Sequence, residues 1–175
     1  MIKKRTARIV VWLIPIILIC WACYQLIDLY AGRTAHQDAS RMLFEASSFQ
    51  IELLSRFMSE ASSARTSEEL DALRNAAYSA SFVHDRLMRA FPPGQIAELA
   101  SLDELLQAML HLQIGGDRPL KAEEQVVLQE LEPVLAELST VYSTLLSEDG
   151  AIQRYERGML EELDRQVIKL LKPLK

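Results

Sequence analysis

Residues Ile9 to Ile27, IVVWLIPIILICWACYQLI, form an apolar run with no charge and a single amide, Gln25. At about 1.5 Å rise per residue, a helix of this length reaches about 28 Å, close to the roughly 30 Å hydrocarbon core of a bilayer. A secretory signal has a shorter apolar core, about 7–15 residues, and ends at a small-x-small cleavage site. The nearest approach to such a site is Cys20-Trp21-Ala22, whose bulky neighbours fit it poorly. A lipoprotein context is missing too, since Cys23 has Cys20 where an aliphatic residue is needed and Cys20 follows Ile19. The run therefore reads as an uncleaved transmembrane anchor over residues 9–27. Lys3, Lys4, Arg5 and Arg8 precede it with no acid among them. Positive-inside bias then keeps residues 1–8 cytoplasmic and sends the C-terminal bulk across the membrane.

About 145 residues remain beyond the anchor, enough for one modest domain. The whole chain carries −5, but leaving out the four basic residues of the tip sets fifteen bases against twenty-four acids, or −9. That balance argues against nucleic acid and against adsorption to anionic lipid. Both cysteines, Cys20 and Cys23, lie inside the apolar run, so no disulfide staples the exterior part and a packed core must hold it. Their C-x-x-C spacing falls on a membrane helix without a second ligand pair, which favours packing over redox or metal chemistry.

Almost every apolar residue beyond the anchor recurs at three or four, the period of helices, and no segment alternates as a strand does. The expected fold is all-α: one N-terminal transmembrane helix, then an extracytoplasmic antiparallel bundle of four to five helices within residues 35–175. The helices are predicted at about 35–64, 67–91, 95–114, 120–147 and 151–171. In the first, Met42, Ala46, Phe49, Leu53, Phe57 and Ala61 mark one stripe, widened by Leu43, Ile51, Leu54 and Met58. No Gly or Pro interrupts residues 34–64, so the anchor is expected to continue outward as one helix. Thr66-Ser67-Glu68-Glu69 reads as a capping box opening a seam of Leu70, Leu73, Ala77, Ala80, His84, Leu87 and Phe91. Ser101-Leu102-Asp103-Glu104 offers an internal cap, and Gly115-Gly116-Asp117-Arg118-Pro119 is the clearest loop. The fourth seam is Leu128, Leu131, Leu135, Leu138, Tyr142 and Leu145, with Pro133 predicting a kink or a boundary. The fifth is Ile152, Tyr155, Met159, Leu163, Val167 and Leu170.

Catalytic patterns are missing from the sequence. His36, His84 and His111 lie on three segments and none has a metal-ligating partner one turn away, so no metal or cofactor is expected. The acid pairs, such as Glu68-Glu69, Asp103-Glu104 and Glu161-Glu162, point about 100° apart on a helix and do not converge on a substrate. There is no G-x-S-x-G, no S-x-x-K and no phosphate-binding glycine loop. His84 stands out because it occupies a seam. It reads either as a hydrogen-bonded histidine at the edge of the core or as a pH-sensitive packing position. The width of the first exterior stripe means either central placement in the bundle or a surface kept for a partner. On the second reading Leu53, Leu54, Phe57 and Met58 are the partner-binding candidates.

The segments GGDRPLKAEEQVVLQEL and LRNAAYSASFVHDRLMRAFPP, placed behind a basic tip, an anchor and a long helix, resemble the N-terminal region of the YpeB spore-germination family. The similarity does not include that family's C-terminal PepSY repeats. It implies a protein of a Gram-positive spore former, tethered to the cytoplasmic or spore membrane, that holds or stabilises a cortex-lytic envelope enzyme. From the residues and the resemblance together, the expected function is a non-enzymatic, single-pass scaffold of the bacterial envelope with a protein partner and no nucleic acid. The alternative is a ligand-sensing bundle that signals through a separate partner, since a tip of eight residues is too short for an output domain.

Overall fold

The computed structural model describes residues 21, 24, 39–147 and 150–174. The chain divides into two compact units, Met1–Ala39 and Ser40–Lys175, and the second contains the fold below. Among the described residues every regular element is helical, in keeping with the all-α expectation: α1 over residues 40–61, α2 at Asp71–Ala90, α3 at Ala100–Leu112, α4 at Ala122–Ser143 and α5 at Arg154–Leu171. Single turns of 3-10 helix precede α2 at Glu68–Leu70 and follow α5 at Lys172–Leu174. No helix of the described residues is long and apolar enough to cross a membrane. The anchor expected at 9–27 lies outside them except for Trp21 and Tyr24, and so does most of the predicted stretch that joins it to α1.

Helices α2 and α3 run antiparallel, and so do α1 and α4. Arg74 and Ser81 on α2 bond Gln113 and Asp103, at the end and start of α3. Ser47 and Ser59 on α1 meet Tyr142 and Glu132 on α4. Helix α5 packs on both α4 and α3. Its buried Asp164 accepts the Ser101 backbone N–H at 2.8 Å, so an acid from α5 caps the positive end of α3. This replaces the internal cap expected at Ser101–Glu104, where Asp103 takes the Ser81 hydroxyl instead.

Two seams match their spacing. Leu70, Leu73, Ala77, Ala80, His84 and Leu87 are all buried, with Phe91 half-buried against the core, and so are Leu128, Leu131, Leu135, Leu138, Tyr142 and Leu145. The seam of α1 is rotated and that of α5 is widened. On α1 the buried face is Ser40, Phe44, Ser47, Ile51, Leu54, Met58 and Ala61, while the predicted Met42 and Phe49 are 70 % and 58 % exposed. On α5 the predicted Leu163 and Val167 are buried and Ile152, Met159 and Leu170 pack against the core, joined there by Leu160, Asp164 and Leu171, while Tyr155 points outward. On α1 a polar residue, Ser47, holds a core position and a neighbouring diagonal is equally apolar, so period alone does not tell which of them faces the core. Pro133 sits inside an uninterrupted α4, so the alternative of a helix boundary there does not occur.

The loop between α3 and α4 clamps the start of α2. Ser67 Oγ donates to the Gly116 carbonyl and accepts the Arg118 N–H, and the backbone pairs Ser67 with Arg118 and Leu120 with Arg65. This employs the serine of the predicted capping box elsewhere, and Glu69 reaches the Arg65 N–H, not Thr66. Gly115 and Gly116 hold φ of 96° and 93°, a conformation that only glycine takes at little cost. Arg118 then closes the loop with a bidentate pair to Glu124, both bonds 2.8 Å, and Glu124 also accepts the Lys121 N–H at the start of α4. The guanidinium holds the Glu124 carboxyl below the usual carboxylate range.

Candidate functional site

The four partner-binding candidates on α1 do not share one environment. Leu54 and Met58 are 1 % and 0 % exposed and belong to the core, so they are not a surface for a partner. They lie on the buried side of α1 with Phe44 and Ser47, which meet Tyr142 on α4. Leu53 and Phe57 are half-buried, Phe57 against the core. The exposed apolar stripe of α1 is Met42, Ala46 and Phe49, with Leu53 at its end. The 4-3-4 spacing of these residues had marked them as core. Their exposure makes them the surplus apolar surface, and only the direction in which α1 packs reveals it.

Between α1, α2 and α4 lies a buried polar chain. His84 Nε2 is 3.0 Å from the Ala97 carbonyl, His84 Nδ1 is 2.9 Å from Tyr142 Oη, and Tyr142 Oη is 2.7 Å from Ser47 Oγ. A carbonyl only accepts, so Nε2 carries the proton and the neutral ring offers Nδ1 as acceptor. Tyr142 must then donate to Nδ1, and Ser47 must donate to Tyr142. One carbonyl thus orders three side chains contributed by three helices. Phe44 stacks on the Tyr142 ring at 5.9 Å and 3°, and the His84 ring meets it edge-on at 5.8 Å.

Burial pushes the His84 pKa down to about 4, against smaller opposing pulls from the Ala97 carbonyl and the Asp85 charge. Burial likewise raises the Tyr142 phenol above its ordinary range, with Ser47 pulling the other way. His84 is thereby neutral near pH 7 and sealed from solvent, 4 % exposed. Such a chain specifies packing and holds no route for a substrate, so the chemistry open to it is protonation alone. Sequence spacing had found His84 and Tyr142. Ser47 was missed, since a serine in an apolar stripe carries no signal until its partner, 95 residues away, is known.

Elsewhere the chemistry stays dispersed. His111 is exposed on α3 and His36 lies outside the described residues. Among the described residues no three His, Cys, Asp or Glu side chains gather as a metal site would require. Asp85, Arg89, Glu161 and Arg157 make pairs along their own helices around an open cleft of about 730 Å³ beside Phe91–Gly94. Comparison with known proteins brings no relative to this arrangement: no protein-family model, curated protein or solved structure matches the chain.

Proposed function

We propose that this chain is a non-enzymatic, membrane-tethered interaction module, a helical bundle held outside the bacterial cytoplasmic membrane by residues 9–27. The observation that carries this reading is the apolar stripe Met42–Ala46–Phe49–Leu53, turned away from the core on the helix that follows the apolar run. Contiguous exposed apolar residues at helical spacing fit an amphipathic partner helix better than solvent. Two further features agree with it. The buried polar groups hydrogen-bond one another instead of lining a chamber, and the acids are spread over separate helices. The resemblance to the YpeB family adds a sporulation or germination setting and an envelope enzyme as the cargo such a tether holds.

The tether is tested by fractionating cells that express the whole chain. The protein should stay with membranes through an alkaline carbonate wash, and protease added from outside should digest it beyond residue 40. Release by carbonate, or digestion only after the membrane is opened, overturns the reading.

A further inference from the structure

The buried chain that runs from Ser47 through Tyr142 and His84 to Ala97 has one end of fixed polarity. There the Ala97 carbonyl accepts from His84 Nε2 at 3.0 Å, whatever the charge on the ring. The other end is Ser47 on α1, whose Oγ lies 2.7 Å from Tyr142 Oη. Between the ends stand two hydroxyls, and each can donate or accept as its hydrogen turns about the C–O bond. Such a turn moves no heavy atom. The Tyr142 ring therefore keeps its stack on Phe44 and its edge contact with His84 whichever way the chain is polarised.

We propose that acid reverses this chain without breaking it, so that α1, α2 and α4 stay linked in both protonation states of His84. The imidazole takes one proton from solvent at Nδ1, and no other group gains or loses one. Nδ1, until then an acceptor, donates to Tyr142 Oη. The Tyr142 hydroxyl turns and donates to Ser47 Oγ, and the Ser47 hydroxyl turns to a carbonyl one turn back on its own helix. Helical hydroxyls of this chain already make that last kind of bond. Thr140 donates to the Ala136 carbonyl at 3.0 Å and Ser143 to the Thr140 carbonyl at 2.7 Å. Ser47 is thus a positioning residue for the charged state. Without its oxygen, the Tyr142 hydrogen displaced from Nδ1 would point into the core with no acceptor.

The groups around the ring are compatible with this reversal. Helix α1 presents Ser47 and Phe44 to the chain, while its charged residues Arg41, Glu45, Glu52 and Arg56 pair on the exposed side. Helix α4 presents Tyr142, with Glu132 turned to Ser59 and Glu137 exposed. The segment before α3 presents the Ala97 carbonyl, and the neighbouring Glu98 is exposed. Asp103 of α3 takes the Ser81 hydroxyl, and Asp164 of α5 takes the Ser101 N–H. Asp85, on the same helix as His84, is the charge whose field favours the imidazolium. Tyr142 is the titratable group in direct contact, and burial keeps it a phenol that can donate in either direction. Burial also outweighs Asp85 and holds the ring neutral at pH 7, so the reversal belongs to acid conditions. The device is a property of the bundle and is independent of the tether.

Nuclear magnetic resonance of the full-length chain in lipid discs, with labelled histidine, tests it, and the His84 signal is identified by its loss in His84→Gln. In the parent, neutral His84 should carry its proton on Nε2 and should titrate while the bundle is still folded, with a midpoint near 4. Ser47→Ala should melt close to the parent at pH 7, because the neutral chain leaves no group unpaired when Ser47 is removed. Its His84 midpoint should nevertheless fall by about one pH unit, since the charged state then strands the Tyr142 hydrogen. A serine that only filled space would change stability at every pH and leave the midpoint where it was. A Ser47→Ala midpoint equal to or above that of the parent overturns the proposal. So does a neutral ring protonated at Nδ1, a Ser47→Ala chain that does not fold at pH 7, or a parent that unfolds before His84 titrates.

Discussion

His84 shows how one buried residue couples packing to pH. Its folded-state pKa, about 4, lies below the ordinary 6.5, so between these values the unfolded chain binds the proton and the folded chain does not. The stability tied to a neutral imidazole is therefore complete above about pH 6.5 and is lost as pH falls toward 4. At about 1.4 kcal/mol per pH unit the loss across this window is about 3 kcal/mol. Urea melts at pH 7 and pH 4.5 should show most of it, and His84→Gln, neutral at both, should flatten the difference. An unchanged pH slope in that variant would falsify the assignment. Tyr142→Phe removes the hydroxyl that joins Ser47 to His84 and leaves two buried groups unpaired. It should cost about 1–3 kcal/mol at pH 7, read from the same melts.

At the scale of elements, α1 separates two kinds of apolar residue that composition treats alike. Leu54→Ala opens a cavity in the core and should destabilise the fold by about 2–5 kcal/mol, whereas Phe49→Ser, on the exposed stripe, should stay within about 0.5 kcal/mol. Equal effects in chemical denaturation would mean that the two faces are assigned the wrong way round. The loop from Gly115 to Leu120 is the second element whose contribution is measurable. Arg118→Met leaves the Glu124 carboxylate, only 9 % exposed, without its partner. The expected cost is about 1–2 kcal/mol, held down because Arg118 itself is partly in water. The pair has the opposite chemistry to His84 but the same sense with pH. The depressed carboxyl contributes above its ordinary pKa and stops contributing as acid protonates it. Comparing parent and variant below pH 4.5 should therefore shrink their difference.

For the whole molecule, one continuous core links Phe44 on α1 to Leu174 after α5. A chain begun at Ser40 should therefore melt in a single cooperative transition with the same midpoint as the bundle of the full chain. A gradual transition, or loss of the near-ultraviolet signal of Tyr142, would mean that the preceding residues are needed for folding.

The all-helical class and the seams of α2 and α4 were legible from spacing, because those helices offer one unbroken apolar diagonal each. So was the apolar run at 9–27, whose length and flanking charges are properties of the chain itself. Packing had to decide the rest. Periodicity says which residues share a face, but not which of two apolar faces meets a neighbour, and on α1 both faces were available. Nor does it say where a polar side chain can be buried. Ser47 and Asp164 are stable inside only because Tyr142 and the Ser101 N–H, distant in sequence, are there to pair with them. Covering Leu54 and Met58 while leaving Met42 and Phe49 exposed is a choice made between helices, after each helix is already specified.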